Sequence, residues 1–310
     1  MKSHALGAAT THSRWDAALP PALEAASGDV IHFDCPDASG GQLHADSTPA
    51  DFLGLDRGRI HTIVGPVYVR DAAPGDVLEV QVQRVAHCGW GWTGIIPEMG
   101  ALPERFPRPH LFMWKLEERV SRSLEPATVP LAPFLGIMGV CPPGGESLRT
   151  RPPGPFGGNL DVRELGPGAR LFLPVFHRGA LFSAGDGHAA QGNGEVCLNG
   201  IEAPLEAELR LVLHKGRRLD EPFAELPATA PPVMPDAGQW AFIASAPDPL
   251  EAARRISGHA VDFLAGRFGL TPELAYTLCS VTLDLRLSQI VNLPMTTVTG
   301  TLARAMFPPS

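Results

Sequence analysis

Asp186 and His188 stand two residues apart inside Gly185-Asp186-Gly187-His188-Ala189-Ala190-Gln191-Gly192-Asn193-Gly194-Glu195. If Gly187 is locally extended, the acid and the imidazole project to the same side. Held together, such a pair suits a divalent cation or a proton transfer. Glycine is too dense here for a helix, and interior glycine weakens a strand. The segment is therefore expected to be a tight, buried loop with backbone shapes that glycine takes easily. The plain alternative is a glycine-rich hairpin carrying solvated polar side chains.

The surrounding chain supplies mostly strands to hold such a loop. Leu78, Val80 and Val82 alternate with Glu79, Gln81 and Gln83, entered through the Pro74-Gly75 turn. Leu205, Ala207, Leu209, Leu211 and Leu213 alternate with Glu206, Glu208, Arg210 and Val212, and Leu283, Leu285 and Leu287 alternate with Asp284, Arg286 and Ser288. Val30 to Asp34, Val67 to Val69, Leu111 to Leu116 and Arg170 to Val175 read as shorter strands. Asp248-Pro249 before Glu251 gives an N-cap, a proline at the first helical position and an acid in the first turn. Leu250, Ile256, Ala260, Leu264 and Phe268 then share one face of a helix, and Thr271-Pro272-Glu273 opens a second. Residues 220 to 238, rich in Pro and Ala, read as a connection. The expected fold class is α+β and β-rich: packed sheets in a barrel-like sandwich, a few helices, the longest near the C-terminus. Residues 1–310 read as a single catalytic unit.

Composition narrows the function. With 44% hydrophobic and 19% charged residues, the 310-residue chain can bury a sizeable core. The net charge of −8 and the lack of any Lys/Arg-rich run argue against nucleic acid as a partner. The N-terminus has no continuous apolar segment, and the uncharged run from Pro126 to Gly145 is broken by prolines, so neither export nor membrane insertion is expected. Five separated cysteines without a CxxC fit a reducing cytoplasm. No phosphate-binding glycine loop and no GxSxG elbow is present, which removes support for nucleotide binding and for α/β-hydrolase chemistry.

Several ordered blocks resemble the acetamidase/formamidase family of metal-dependent amidohydrolases. They are Gly65 to Val69 with Pro74-Gly75-Asp76, Gly89 to Thr93, Gly157-Gly158-Asn159-Leu160-Asp161, Leu173-Pro174-Val175 and Gly179-Ala180-Leu181. Gly185 to Ala189 with Gln191 to Glu195, Ile201-Glu202 and Gln289 to Asn292 complete the series. The blocks run through nearly the whole chain, and their joint order is more specific than any one of them. Asn193 departs from the pattern, which usually has Asp between two glycines after the Gln. The resemblance implies a β-rich fold, a homo-oligomer (a dimer), a divalent metal such as Zn2+ with Ca2+ or another divalent ion as alternatives, and hydrolysis of a short aliphatic amide to carboxylate and ammonia.

Amide hydrolysis needs an activated water, an oxyanion stabiliser and an acid for the leaving amine. Asp186 and His188 are assigned to the metal, with Asp37 as a third ligand or else a simple turn former. Glu195 or Glu146 would act as general base and acid. Asn159 and Gln191 would donate hydrogen bonds to the substrate carbonyl, and Asp161 would orient His188 or cap a turn. Glu202 is expected to serve the site rather than only its strand. His32, His61 and His214 read as structural or solvated, and Cys141 as a weak candidate nucleophile. Two other readings remain: a lactam hydrolase of the same family, and a β-rich metal- or ligand-binding protein without turnover, which Asn193 favours.

Overall fold

The computed structural model describes residues 1–99, 107–123, 129–191, 198–228, 238–269 and 284–304. Two sheets dominate. The larger has nine strands in the order Ser3–Leu6, Val30–Cys35, Leu205–His214, Val77–His87, Arg170–Pro174, Phe223–Leu226, Gln239–Ala246, Thr296–Ala303 and Asp284–Gln289. All neighbours are antiparallel except the first pair. The second sheet runs Gly157–Asn159, Phe134–Gly139, Phe182–His188, Ile63–Val69 and Thr11–His12, with Leu23–Ala25 added in parallel to Ile63–Val69.

The alternation read from the sequence is the alternation of burial. Along Leu205–His214, Leu205, Ala207, Leu209 and Leu211 are buried, while Glu206 is exposed and Glu208 and Arg210 are partly so. Their inner faces join a continuous core with Ile63, Val67, Leu135, Ile137 and Phe182 of the other sheet. Phe33 of one sheet meets Phe182 of the other edge to face, with ring centroids 6.0 Å apart. The packed β-sheets expected from the sequence are therefore present.

The long helix spans Pro249–Phe268. The Asp248 side chain accepts from Leu250 N–H at 2.9 Å, and Gly269 closes the helix at φ 66. It buries Ala252, Ile256, Ala260 and Leu264 against Trp240, Phe242, Val298 and Leu302 at the far end of the nine-stranded sheet. The helix expected at Thr271 and the strand positions before Asp284 lie outside the described residues.

Two local outcomes differ from expectation. Within 220–238, Phe223–Leu226 is a strand, too short for its period to show, and it bridges Arg170–Pro174 and Gln239–Ala246. More consequentially, Gly185 to His188 is not a loop but the end of the central strand Phe182–His188. Its glycines are there because adjacent backbone leaves no room for a side chain. A Cβ on Gly187 would lie 2.5 Å from the Ala203 carbonyl oxygen, and one on Gly185 2.9 Å from that of Thr62.

Candidate metal centre and active site

The last residues of the Phe182–His188 strand carry the chemistry. Asp186 takes φ 57, an uncommon conformation for a non-glycine residue, where the strand pairs with Phe134–Gly139. The opposing residue in that partner strand is Gly136. A Cβ there would meet Asp161 Oδ1 at 2.6 Å and Asp186 Oδ2 at 3.0 Å. Asp161 follows the Gly157–Asn159 strand, also at positive φ (51), and its N–H donates to the Gly136 carbonyl at 3.2 Å. Two strands that flank Phe134–Gly139 in one sheet thus deliver Asp161, Asp186 and His188 to one point. One potential ligand atom from each lies within 4.8 Å of the other two, and all three residues are buried.

Around this cluster the structure divides the remaining candidates. Glu202 Oε1 sits 2.8 Å from His188 Nε2. It is the hydrogen-bonding carboxylate that orients the ring, a role the sequence reading gave to Asp161. The bond assigns the Nε2–H tautomer and turns His188 Nδ1 toward Asp161 Oδ1, 3.9 Å away. Glu202 is itself held by a reciprocal backbone pair with Trp92, both bonds 2.8 Å. Phe134 braces the other side of the imidazole, its ring centroid 5.1 Å distant.

Asp37 is buried, but its oxygens accept from Ser39 N–H (3.0 Å), Gly41 N–H (3.1 Å) and the Trp92 indole (2.8 Å). It supports Trp92 and stands outside the ligand cluster; the third group of that cluster is Asp161. Gln191 spends its amide N–H on the Asp161 carbonyl at 2.9 Å, so it shapes the Asp161 loop. Asn159 is buried, faces the cavity and keeps Oδ1 without a hydrogen-bond partner. Glu146 is exposed and does not line the cavity. Glu195 and Asn193 lie outside the described residues.

Two site residues escaped the sequence reading. His61 lines the cavity and has a buried Nδ1 with no hydrogen-bond partner. Nothing in its neighbourhood in the sequence marks it. Asn292 donates from Nδ2 to Asp161 Oδ2. Its place at the end of the Gln289 to Asn292 block was the available signal. Gln289 Oε1 fixes that turn by accepting from Val291 and Asn292 N–H at 2.9 and 2.8 Å.

The electrostatics calls for a cation. Asp161 Oδ1, Asp186 Oδ1 and Glu202 Oε2 are buried with no hydrogen-bond partner. Burial, with Asp186 and Glu202 close by, pushes the Asp161 carboxyl up to about 8, against the opposing pull of His188 and Asn292. Burial likewise pushes Glu202 up to about 7, His188 opposing and Asp186 and Asp37 adding to the rise. Buried carboxylates of this density are stable as anions only beside positive charge. Ligand atoms on one zinc ion lie roughly 3–4 Å apart, given Zn–N and Zn–O distances of about 2.0–2.2 Å. The 3.9 Å between His188 Nδ1 and Asp161 Oδ1 suits that spacing. The cluster fits a divalent ion.

These groups form the floor of a cavity of about 450 Å3. Its apolar wall begins with the helix Pro49–Leu53, capped reciprocally by Thr48 and Asp51. Phe52 of that helix packs on Trp92 of the Trp90–Ile95 and His110–Lys115 hairpin, with centroids 5.6 Å apart.

The sequence matches the Acetamidase/Formamidase family over residues 2–144 and 144–308. It is 27% identical to an acetamidase of Mycolicibacterium smegmatis over 86% of this chain and 84% of that protein. A formamidase of Methylophilus methylotrophus is 26% identical over 61% of this chain. The match spans 60% of that relative's length, less than two thirds. Among solved structures, an acetamidase of Bacillus halodurans superposes with a TM-score of 0.88 at 31% identity, covering 96% of this chain and 97% of its own. With the match running almost from end to end, the chain belongs to the acetamidase/formamidase family.

Proposed function

We propose that the protein hydrolyses carboxamides to carboxylate and ammonia at the floor of the 450 Å3 cavity. The observation that carries this reading is the buried Asp161–Asp186–His188 cluster, whose carboxylates keep oxygens unbonded. These three residues hold a divalent cation. Imidazole beside carboxylate suits Zn2+ better than Ca2+, which prefers an all-oxygen shell. When bound, such an ion polarises the amide carbonyl and makes water a competent nucleophile near neutral pH.

The chain's own residues do the rest. Glu202 keeps His188 in one tautomer and one orientation. Asn159, buried and facing the cavity, offers its amide N–H to the substrate oxygen as charge builds there. His61 serves as a proton carrier. Burial keeps it below the ordinary imidazole range, with Arg151, His188 and Arg149 acting in the same direction and Asp186 opposing, which favours the neutral ring. Glu195 remains the carboxylate candidate for handing a proton to the departing amine. Free cysteines at Cys35, Cys88 and Cys141 support a reducing, cytoplasmic setting. The family resemblance supports a homodimer.

Ammonia release from formamide, acetamide and propionamide tests the reading. Turnover should vanish with chelator and return with added Zn2+. Metal-loaded protein that releases no ammonia from any amide would instead be the binding protein that Asn193 favours.

A further inference from the structure

The floor of the cavity accounts for a small part of it. Acetamide has four heavy atoms and fills the space of a few waters, each about 30 Å3. The cavity holds about 450 Å3, within the range of sites for much larger ligands. Above the acids its walls are apolar, with Phe52, Trp92, Ile96 and Leu293 among them. Leu293 on this wall is 68% exposed, so its apolar surface is open to an entering ligand.

The mouth carries a second chemistry. Arg57, Arg149 and Arg151 all line the cavity. In a chain of net charge −8, three arginines around one opening set positive charge above the acids of the floor. Arg149 Nη2 donates to the Arg57 carbonyl oxygen at 2.7 Å, and Arg151 Nη2 donates to that of Val291 at 3.3 Å. Among the described residues no carboxylate lies within 4.0 Å of the Arg57 or Arg149 guanidinium. Among the described residues, the acidic groups lining the cavity are Asp161, Asp186 and Glu202, all on the floor.

We propose that the preferred substrate is an amide whose acyl chain is several carbons long, lies against the apolar wall and ends in a carboxylate that meets Arg149 and Arg57 at the mouth. The inference rests on the amidase reading given above and adds the substrate's shape and charge. The carboxamide end goes to the cluster beside Asn159 and His61. The middle displaces water from Phe52, Trp92 and Leu293. The distal carboxylate takes the fork of guanidinium donors, which match its two oxygens.

The test compares ω-carboxyamides from succinamate to adipamate with the neutral methyl ester of adipamate and with 6-aminohexanamide. Zinc-loaded protein and ammonia release provide one readout, and calorimetric binding of the same compounds provides the second. Adipamate should exceed its methyl ester at least tenfold in kcat/KM, the cationic amide should be poorest, and raised salt should narrow the gap. Arg149→Ala should cost adipamate at least tenfold more than it costs the ester, with Arg149→Lys recovering part of the loss. Equal turnover of adipamate and its ester, with acetamide hydrolysed normally, overturns the inference and leaves the amidase reading intact. Tighter binding of adipamate than of its ester without ammonia from any amide keeps the carboxylate site and overturns the amidase reading. If Arg149→Ala weakens zinc loading and lowers both compounds equally, the arginines serve the floor's charge balance and the inference falls.

Discussion

Glu79 and Asp161 are both about 1% exposed, yet the protein treats them in opposite ways. Glu79 lies in the nine-stranded sheet. It accepts from Arg170 Nε at 2.6 Å, Gln81 Nε2 at 2.7 Å and His214 Nε2 at 2.6 Å. Burial works against its charge, but these donors outweigh burial and hold the carboxyl below its ordinary range. Asp161 follows a strand of the six-stranded sheet, with Asn292 as its side-chain donor and two more carboxylates beside it. Where a buried acid only ties strands together, the chain brings its own cation and donors. Where oxygens stay buried without partners, the residues leave room for a charge supplied from outside.

Several substitutions would break or sharpen this contrast. The largest effect is expected from Asp186→Asn. Removing a ligand charge forfeits several kcal/mol of transition-state stabilisation, so amide turnover should fall by about 10^3-fold or more. Zinc content of the purified variant, measured beside ammonia release, checks it; full occupancy with full activity would remove the cluster from the mechanism.

Next in size is a matched pair. Glu202→Gln keeps an oxygen for His188 but loses the charge, and should weaken zinc affinity by roughly 10–100-fold. Glu79→Gln should leave zinc affinity alone and lower unfolding stability by about 2–3 kcal/mol, discounted because Arg170 is partly exposed. Competition with a chelator and urea titration read the two quantities. Equal loss of zinc in both variants would erase the distinction between the two sheets.

The smallest effect concerns acid. Asp29, beside the Val30–Cys35 strand, is opposed by burial but accepts from Lys2 and Ala26 N–H and meets His4, which holds it at about 2. Its folded value is below its unfolded one. The stability it adds is therefore present above pH 4 and is lost as pH falls through 2, amounting to about 1 kcal/mol after solvent screening. Comparing the acid limbs of wild type and Asp29→Asn would measure it; superimposable limbs would show that Asp29 adds nothing.

The residues that announced themselves in the sequence were those whose role is local. Asp248, Pro249 and the Leu250 to Phe268 stripe define the long helix because capping and period are properties of consecutive residues. The alternation of Leu205 to Leu213 names its strand for the same reason. Asp186 and His188 were legible through their spacing, and Asp161 and Glu202 through the family blocks. Their division of labour was not, because it depends on which strands adjoin. Asp161 reaches the ligand cluster only since Gly136 beside it has no side chain. Glu202 reaches His188 through an isolated bridge between the two residues. His61 left no trace, since its partners Asp186 and His188 are more than a hundred positions away.

Gly136 and Gly187 have a consequence for how this scaffold can diversify. Added bulk there would strike the Asp161 carboxylate or the Ala203 carbonyl. Drift or engineering must therefore spare the floor. The Pro49–Leu53 helix and the arginines around the opening carry no such restriction. New selectivity can be written into them one side chain at a time while the reaction underneath stays the same.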